Sequence, residues 1–223
     1  MVSSLLAVSL ARNGKKVGIM DADITGPSIP NMFGLGKEKM MGDGVGIFPI
    51  ETPTYGIKTI SVNMMLESSE TPVLWRGPIV SNIVTQFFTE VYWGDLDYLI
   101  IDMPPGTSDV ALTILQMIPV DAMVMVTTPS KLVSTIVAKA INMANSVDIP
   151  ITGIVENMSY VVCDSCEHII KLYDESDADD LAARYNLEVL ARLPLDKSLS
   201  SMADEGDIEL YQEKALDKLV ERL

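Results

Sequence analysis

Cysteine, histidine and positive charge are scarce in this chain. Its 223 residues hold two cysteines and one histidine. Two cysteines cannot staple a disulfide-rich scaffold. Lys and Arg number 16 against 31 Asp and Glu, a formal charge of −15. A field of that sign repels nucleic-acid phosphates, so no nucleic-acid partner is expected. It leaves room for a nucleotide held by backbone N–H groups and a metal ion. Long apolar runs are missing too. Runs such as Tyr98 to Ile101 and Ala122 to Val126 fall far short of the roughly 20 residues of a spanning helix. Met1-Val2-Ser3-Ser4-Leu5-Leu6 lacks the basic stretch that opens a signal peptide. The expectation is a cytoplasmic chain without membrane contact. Aromatic residues are only 6%, but 48% of the chain is hydrophobic. That is enough apolar material for a sizeable core in one large α/β domain, and it excludes disorder as the main state.

The pattern alternates. Residues 3 to 13 read as a helix stopped by Asn13-Gly14. Lys16 to Met20 reads as a strand running into Asp21-Ala22-Asp23, and 26 to 46 as an irregular Gly- and Pro-rich excursion. Gly44 to Ile50 and Gly56 to Val62 suit strands, and Pro78 to Trp93 a helix with Pro78 in its first turn. Asp97 to Asp102 reads as a strand in which Tyr98, Leu99, Ile100 and Ile101 are continuously apolar, as a strand buried on both faces should be. Then come a helix from Val110, a strand over Ala122 to Val126, a helix capped by Ser130 and a strand over Ile151 to Val155. Residues 159 to 176 form a cysteine-bearing loop. A helix over 177–185, a strand over 188–193 and an amphipathic helix over 207–222 complete the chain. This repetition predicts an α/β fold with a doubly wound, mainly parallel sheet in a single domain.

Polar signatures sit at the carboxyl ends of five strands: Asp21 and Asp23, Met103 to Asp109, Thr127 to Pro129, Glu156-Asn157, and Pro194 to Asp196. Ligands of open α/β sheets bind along that edge. Leu99-Ile100-Ile101-Asp102 reads as a Walker B strand, whose carboxylate holds Mg²⁺ directly or through water. Gly106, after Pro104-Pro105, lets backbone approach a γ-phosphate and move when it leaves. Asp21 and Asp23 suit a magnesium shell and the orientation of an attacking water. Taken singly, each carboxylate also suits a turn or a helix cap.

Cys163-Asp164-Ser165-Cys166 is half of a metal site, a redox pair or a pair of plain thiols. Thiolates favour zinc and iron–sulfur clusters. A four-thiolate site needs four cysteines, which two copies related by a two-fold axis supply. His168 is close enough in sequence to complete a mixed site, though a lone loop histidine is more often a bystander. The acidic run Asp174 to Asp180 suits a helix start and lacks the calcium-loop pattern. The 14 methionines, Met64-Met65 and Met143 among them, suit core gap-filling.

Read in order, these stretches resemble the Mrp (ApbC-like) family of P-loop ATPases, iron–sulfur cluster carriers of the deviant-Walker group with MinD and ParA. The matching stretches are Gly14 to Val17, Asp21-Ala22-Asp23-Ile24-Thr25-Gly26-Pro27-Ser28-Ile29-Pro30, Trp75-Arg76-Gly77-Pro78 and Asp97 to Asp109. They continue with Gly153 to Ser159, Cys163 to Cys166 and Leu193-Pro194-Leu195-Asp196. The resemblance implies a MinD-like P-loop NTPase fold that binds ATP and Mg²⁺ and carries a [4Fe–4S] cluster, with slow hydrolysis as a switch. It implies that Asp23 positions the hydrolytic water, that Asp21 supports the magnesium site and that Asp102 is the Walker B ligand. Gly106 becomes the γ-phosphate sensor, Asn157 the adenine partner, and Pro194 to Asp196 the turn along the base. Cys163 and Cys166 hold the cluster across a homodimer, for transfer to client apoproteins; zinc is the other metal they suit. Arg76 receives no step. The family's Walker A loop and the central strand before it are expected ahead of residue 1, in a longer natural chain. The alternatives are a MinD/ParA-like positioning ATPase without a cluster, or a nucleotide-free remnant that keeps an interaction surface. The final helix mixes Glu213, Asp217 and Glu221 with Lys214, Lys218 and Arg222, so it lacks a cationic membrane face.

Overall fold

The structure is a computed structural model. It describes residues 1–24, 26–65, 77–163, 165–171, 173, 177–212 and 214–223. Arg76, Thr25, Asp164, Asp174, Glu175 and Ser176 lie outside the described residues. The chain divides into two units: Met1–Ile118 with Leu199–Glu213, and Pro119–Ser198 with Lys214–Leu223.

The first unit opens with α1 (Val2–Arg12), in which every residue from Ser4 to Leu10 is buried. It leads through Gly14 into β1 (Val17–Asp21), buried along its whole length. A one-turn α2 (Ile29–Met32) follows, then a short hairpin of β2 (Met41–Gly42) and β3 (Ile47–Phe48). β4 (Ile50–Glu51) runs antiparallel to β5 (Lys58–Ser61). After α3 (Gly77–Thr89) come β6 (Tyr98–Asp102) and α4 (Asp109–Met117). The sheet order is β4-β5-β1-β6, with β5 and β6 both parallel to β1. Gly18 lets Leu96, Leu99 and Trp93 pack closely on the strand: a Cβ there would lie 2.6 Å from Leu96 Cδ1 and 3.0 Å from both Leu99 Cδ1 and Trp93 Cε3, so Leu96 would have to shift.

The second unit holds β7 (Met123–Thr127), α5 (Lys131–Ser146), β8 (Ile151–Val162), β9 (Ile169–Ile170), α6 (Asp177–Tyr185) and β10 (Val189–Pro194). Its parallel sheet runs β10-β8-β7, with β9 antiparallel to the far end of β8. Met125, Val137, Ile141, Ala144, Ile154, Leu181 and Ala182 form one buried cluster between sheet and helices. Its helical members, Val137, Ile141 and Ala144 on α5 and Leu181 and Ala182 on α6, lie on the faces that the 3.6-residue period turns inward. From here α7 (Lys197–Glu205) continues into the first unit, and α8 (Asp217–Arg222) closes the second, where Lys218 and Arg222 both pair with Glu188.

The α/β, mainly parallel architecture matches the expectation, and four local readings do not. The cysteine segment is not a plain loop: β8 runs on to Val162, and β9 returns beside it as a hairpin. The excursion from 26 to 46 contains α2 and β2. Helix α3 stops at Thr89, because 91–93 turn to meet β3: Tyr92 N–H donates to Ile47 O at 2.8 Å. The long terminal helix is a 3₁₀ turn (Ile208–Leu210) and a separate α8. Ser130 stands at the α5 N-cap, but its side chain makes no capping bond; its carbonyl receives Ser134 N–H instead.

The 3₁₀ turn is anchored by Glu209, a carboxylate buried within the first unit. Its oxygens accept from the Thr52 hydroxyl at 2.6 Å and from the backbone N–H groups of Thr54 and Tyr55 at 2.9 and 3.0 Å. Arg12 donates to the Glu209 carbonyl at 2.8 Å and lies over the Tyr55 ring. One residue thus ties α1, the β4–β5 turn and the C-terminal segment together. Glu209→Ala leaves three donors without their acceptor and should lower the unfolding free energy by roughly 1–3 kcal/mol. Urea unfolding checks this: an unchanged midpoint would show that water replaces the carboxylate at no cost.

Candidate functional site

In the first unit two carboxylates meet because two strands run parallel in register. Asp21 ends β1, Asp102 ends β6, and the ladder places them opposite each other. Asp21 is fully buried. Its Oδ2 accepts from Ile29 N–H and from the Ser61 hydroxyl, both at 3.2 Å. Its Oδ1 is buried with no hydrogen-bond partner among the described residues. Asp102 accepts from the Ser3 hydroxyl of α1. Burial, and then the charge of Asp102, push the Asp21 carboxyl up from 3.8 to about 7, against the pull of the Ile29 N–H and Ser61 hydroxyl. An orphaned oxygen on a buried, crowded carboxylate suits a hard divalent cation, which favours oxygen ligands. The donor set therefore fits Mg²⁺.

Asp23 is half-buried, and its Oδ1 accepts from Gly26 N–H at 3.3 Å. Gly106 has φ +78°, a left-handed conformation that disfavours any side chain, and no atom stands within 4 Å of where a Cβ would be. Ser108 then caps α4 by accepting from Ala111 N–H at 3.2 Å. The turn from Asp102 to Asp109 is thus anchored at both ends and open at its glycine.

In the second unit β8 carries two features. At its centre, Glu156 is buried and accepts from Arg192 Nε at 3.1 Å and from the Ser159 hydroxyl; Arg192 reaches on to Asp179 at 2.6 Å. Asn157 is half-buried, and its Oδ1 accepts from Met158 N–H at 3.0 Å. Met158 has φ +56°, rare for a side chain of its size, and it breaks the regular run of the strand. Pro194 pairs with Tyr160, and Leu195 N–H donates to Tyr160 O at 2.7 Å. Asp196 takes Ser198 N–H and hydroxyl at 2.7 and 2.8 Å, which caps the start of α7.

At the far end of β8 stands the thiol pair. Cys163 N–H donates to His168 O at 3.0 Å, and Glu167 N–H donates to Cys163 O at 2.9 Å. These bonds close the hairpin turn between β8 and β9. Cys163 is half-buried, Cys166 is exposed, and neither forms a disulfide. Among the described residues no three His, Cys, Asp or Glu side chains gather as a metal-binding group. His168 therefore does not join the two sulfurs in a three-ligand set.

Ser3, Ser61 and the Glu156–Arg192–Asp179 chain were not singled out from sequence. The serines gave no signal, since contact with the carboxylates depends on packing. Glu156 carried one: a charged residue directly after Gly153-Ile154-Val155 in an interior strand needs a cation.

With this geometry in view, the comparisons are decisive. The model of the NUBPL iron-transfer P-loop NTPases, of the ParA group, matches residues 1–223. The chain belongs to this family. The iron-sulfur cluster carrier protein of Methanocaldococcus jannaschii is 46% identical over 202 residues, 90% of this chain and 69% of that protein. The carrier of Clostridium perfringens is 39% identical over 217 residues, 94% of this chain and 76% of its own length. The nucleotide-binding protein of Archaeoglobus fulgidus, solved in complex with ADP, is 40% identical with a TM-score of 0.84, covering 95% of this chain and 82% of that one. The MinD protein of Pyrococcus horikoshii shares the fold at 16% identity, with a TM-score of 0.64 over 99% of this chain and 87% of its own. Among the described residues of this NTPase chain, no helix is long and apolar enough to cross a membrane.

Asp21 yields a pH test. Its folded-state value lies above its unfolded one, so it favours the folded state below about pH 4 and loses that contribution as pH rises through about 7. Asp21→Asn, which mimics the protonated form, should match the wild type in urea unfolding near about pH 3 and exceed it near about pH 8. An equal difference at both pH values would remove the buried charge as its cause.

Proposed function

We propose that this chain is a cytoplasmic carrier that receives an iron–sulfur cluster on Cys163 and Cys166 and passes it to apoproteins, with ATP binding and hydrolysis as its switch. One observation carries the reading: Cys163 and Cys166 sit together on the β8–β9 hairpin turn, with Cys166 exposed. Two thiolates from one copy leave a cluster half-ligated, and a second copy completes a four-thiolate [4Fe–4S] site. Membership in an iron-transfer family supports the cargo. The carrier relatives stand at 38–46% identity, whereas the MinD neighbours, at 15–20%, share the fold alone. That contrast favours the carrier over a positioning ATPase.

In this reading residues 1–223 act as one P-loop NTPase-like domain. Asp102 holds Mg²⁺ and Asp21 supports it through the oxygen left without a partner. When bound, the ion neutralises the carboxylate pair and orders phosphate oxygens and water. Asp23 orients the attacking water. Gly106 follows the γ-phosphate, because its open turn moves without displacing a side chain. Asn157, Pro194 and Asp196 line the base at the β8 and β10 ends, with the Asp196 carboxylate also capping α7.

The test is metal analysis after anaerobic purification, with native mass on the same sample. About two irons and two acid-labile sulfides per chain in a dimer are expected. The double variant Cys163→Ser/Cys166→Ser should lose both while its far-UV spectrum and melting temperature stay unchanged. Zinc without sulfide, or iron unaffected by the double variant, would overturn the cluster assignment.

A further inference from the structure

β8 changes course beside Asn157. Up to Glu156 it pairs on both sides: Thr127 of β7 and Arg192 of β10 both stand opposite Glu156. The next rung to β10 joins Tyr160 to Pro194, so residues 157–159 face Leu193 alone. Surplus residues on one strand form a bulge, which leaves the ladder and re-aims its side chains. Met158 stands at its crest, 42% exposed, with φ +56°. A large side chain is disfavoured in that conformation. Such outliers persist only where their surroundings hold them, and they cluster at functional sites.

The group that holds this one is Glu156, the last residue before the bulge and 1% exposed. Its carboxylate accepts from the Ser159 hydroxyl and from Arg192 Nε at 3.1 Å. The first bond spans the bulge and ties its two ends together. The second fixes the carboxylate against β10, where Arg192 is held in turn by Asp179 of α6 at 2.6 Å. A buried carboxylate needs such partners. Being charged, it also grips a hydroxyl more strongly than a neutral acceptor does. Within the bulge, Asn157 Oδ1 accepts from Met158 N–H at 3.0 Å, so the bulge backbone itself sets the orientation of the amide.

We propose that Glu156 and Ser159 are positioning residues for recognition of the nucleotide base. Their bond clamps the 157–159 bulge and holds the Asn157 amide where the base is read. This rests on the reading of Asn157 as the base partner given above. Neither residue needs to touch the nucleotide. Without the Ser159 hydroxyl the bulge loses the bond that spans it, and Asn157 keeps the binding geometry for only part of the time. Apparent affinity falls with that fraction. The loss runs entirely through Asn157, which separates a clamp from a general support of the fold.

The experiment measures the ATP dissociation constant of the full-length chain by calorimetry. Removing the Glu156 carboxylate would strip Arg192 of its buried partner, so the variants act on Ser159. Ser159→Ala should bind ATP about tenfold more weakly. Ser159→Thr, which keeps a hydroxyl, should restore most of that loss. In an Asn157→Ala background, Ser159→Ala should weaken ATP binding no further. An additive loss in that background would make Ser159 a general support and overturn the clamp. So would a Ser159→Ala protein that binds ATP like the wild type while Asn157→Ala binds it weakly; the base assignment would then stand. Asn157→Ala binding ATP like the wild type would instead defeat the base assignment, and the clamp would fall with it.

Discussion

A buried carboxyl group held beside a second, half-buried one organises the first unit. β1 and β6 pair in parallel, and that register sets Asp21 opposite Asp102. A one-residue slip of either strand would take the two carboxylates out of register and turn the shifted one to the other face of the sheet. The pair is therefore held by packing while electrostatics oppose it. The Ile29 N–H and the Ser61 and Ser3 hydroxyls relieve part of the strain, and Asp21 Oδ1 is left with nothing. A protein that maintains such a pair has a use for it, because protonation or a divalent cation removes the repulsion. The raised Asp21 carboxyl and the fit to Mg²⁺ are two expressions of one constraint.

The second unit is organised by one long strand. β8 bears Glu156 and Asn157 near its centre and Cys163 just past its end. Its middle is pinned by the Glu156–Arg192–Asp179 chain, and its course is bent at Met158. The six residue steps from Asn157 to Cys163 span about 20 Å when extended. The proposed base site and the thiol hairpin are thus successive stations on one piece of backbone. A displacement at the pinned section has a covalent route to the thiols, since the hairpin bonds run from Cys163 itself.

Much of this was legible beforehand because it depends on short-range rules. The alternation of elements, the apolar strand ahead of Asp102 and the positive-φ turn at Gly106 follow from periodicity and backbone sterics. So does the grouping of polar residues after strands. The hairpin was not legible. Val161, Val162, Ile169 and Ile170 are two short apolar pairs separated by a polar turn, a weak pattern beside charged residues on both sides. Their pairing depends on β8 continuing past its sheet. The final helix failed for a related reason: the amphipathic pattern over 207–222 is real, but Glu209 is drawn into three hydrogen bonds on Thr52, Thr54 and Tyr55, which ends the helical path there.

By itself, then, the order of residues determined the α/β class, the strand-end carboxylates and the presence of a thiol pair three residues apart, because each rests on local periodicity or on residue type. Tertiary structure alone decided which of these groups touch. It buried Asp21 and left one of its oxygens without a partner, it recruited Ser3 from 99 residues away to Asp102, and it turned the cysteine segment into an exposed apolar ribbon. Those outcomes depend on strand register and on water exclusion, which arise only when distant parts of the chain pack together.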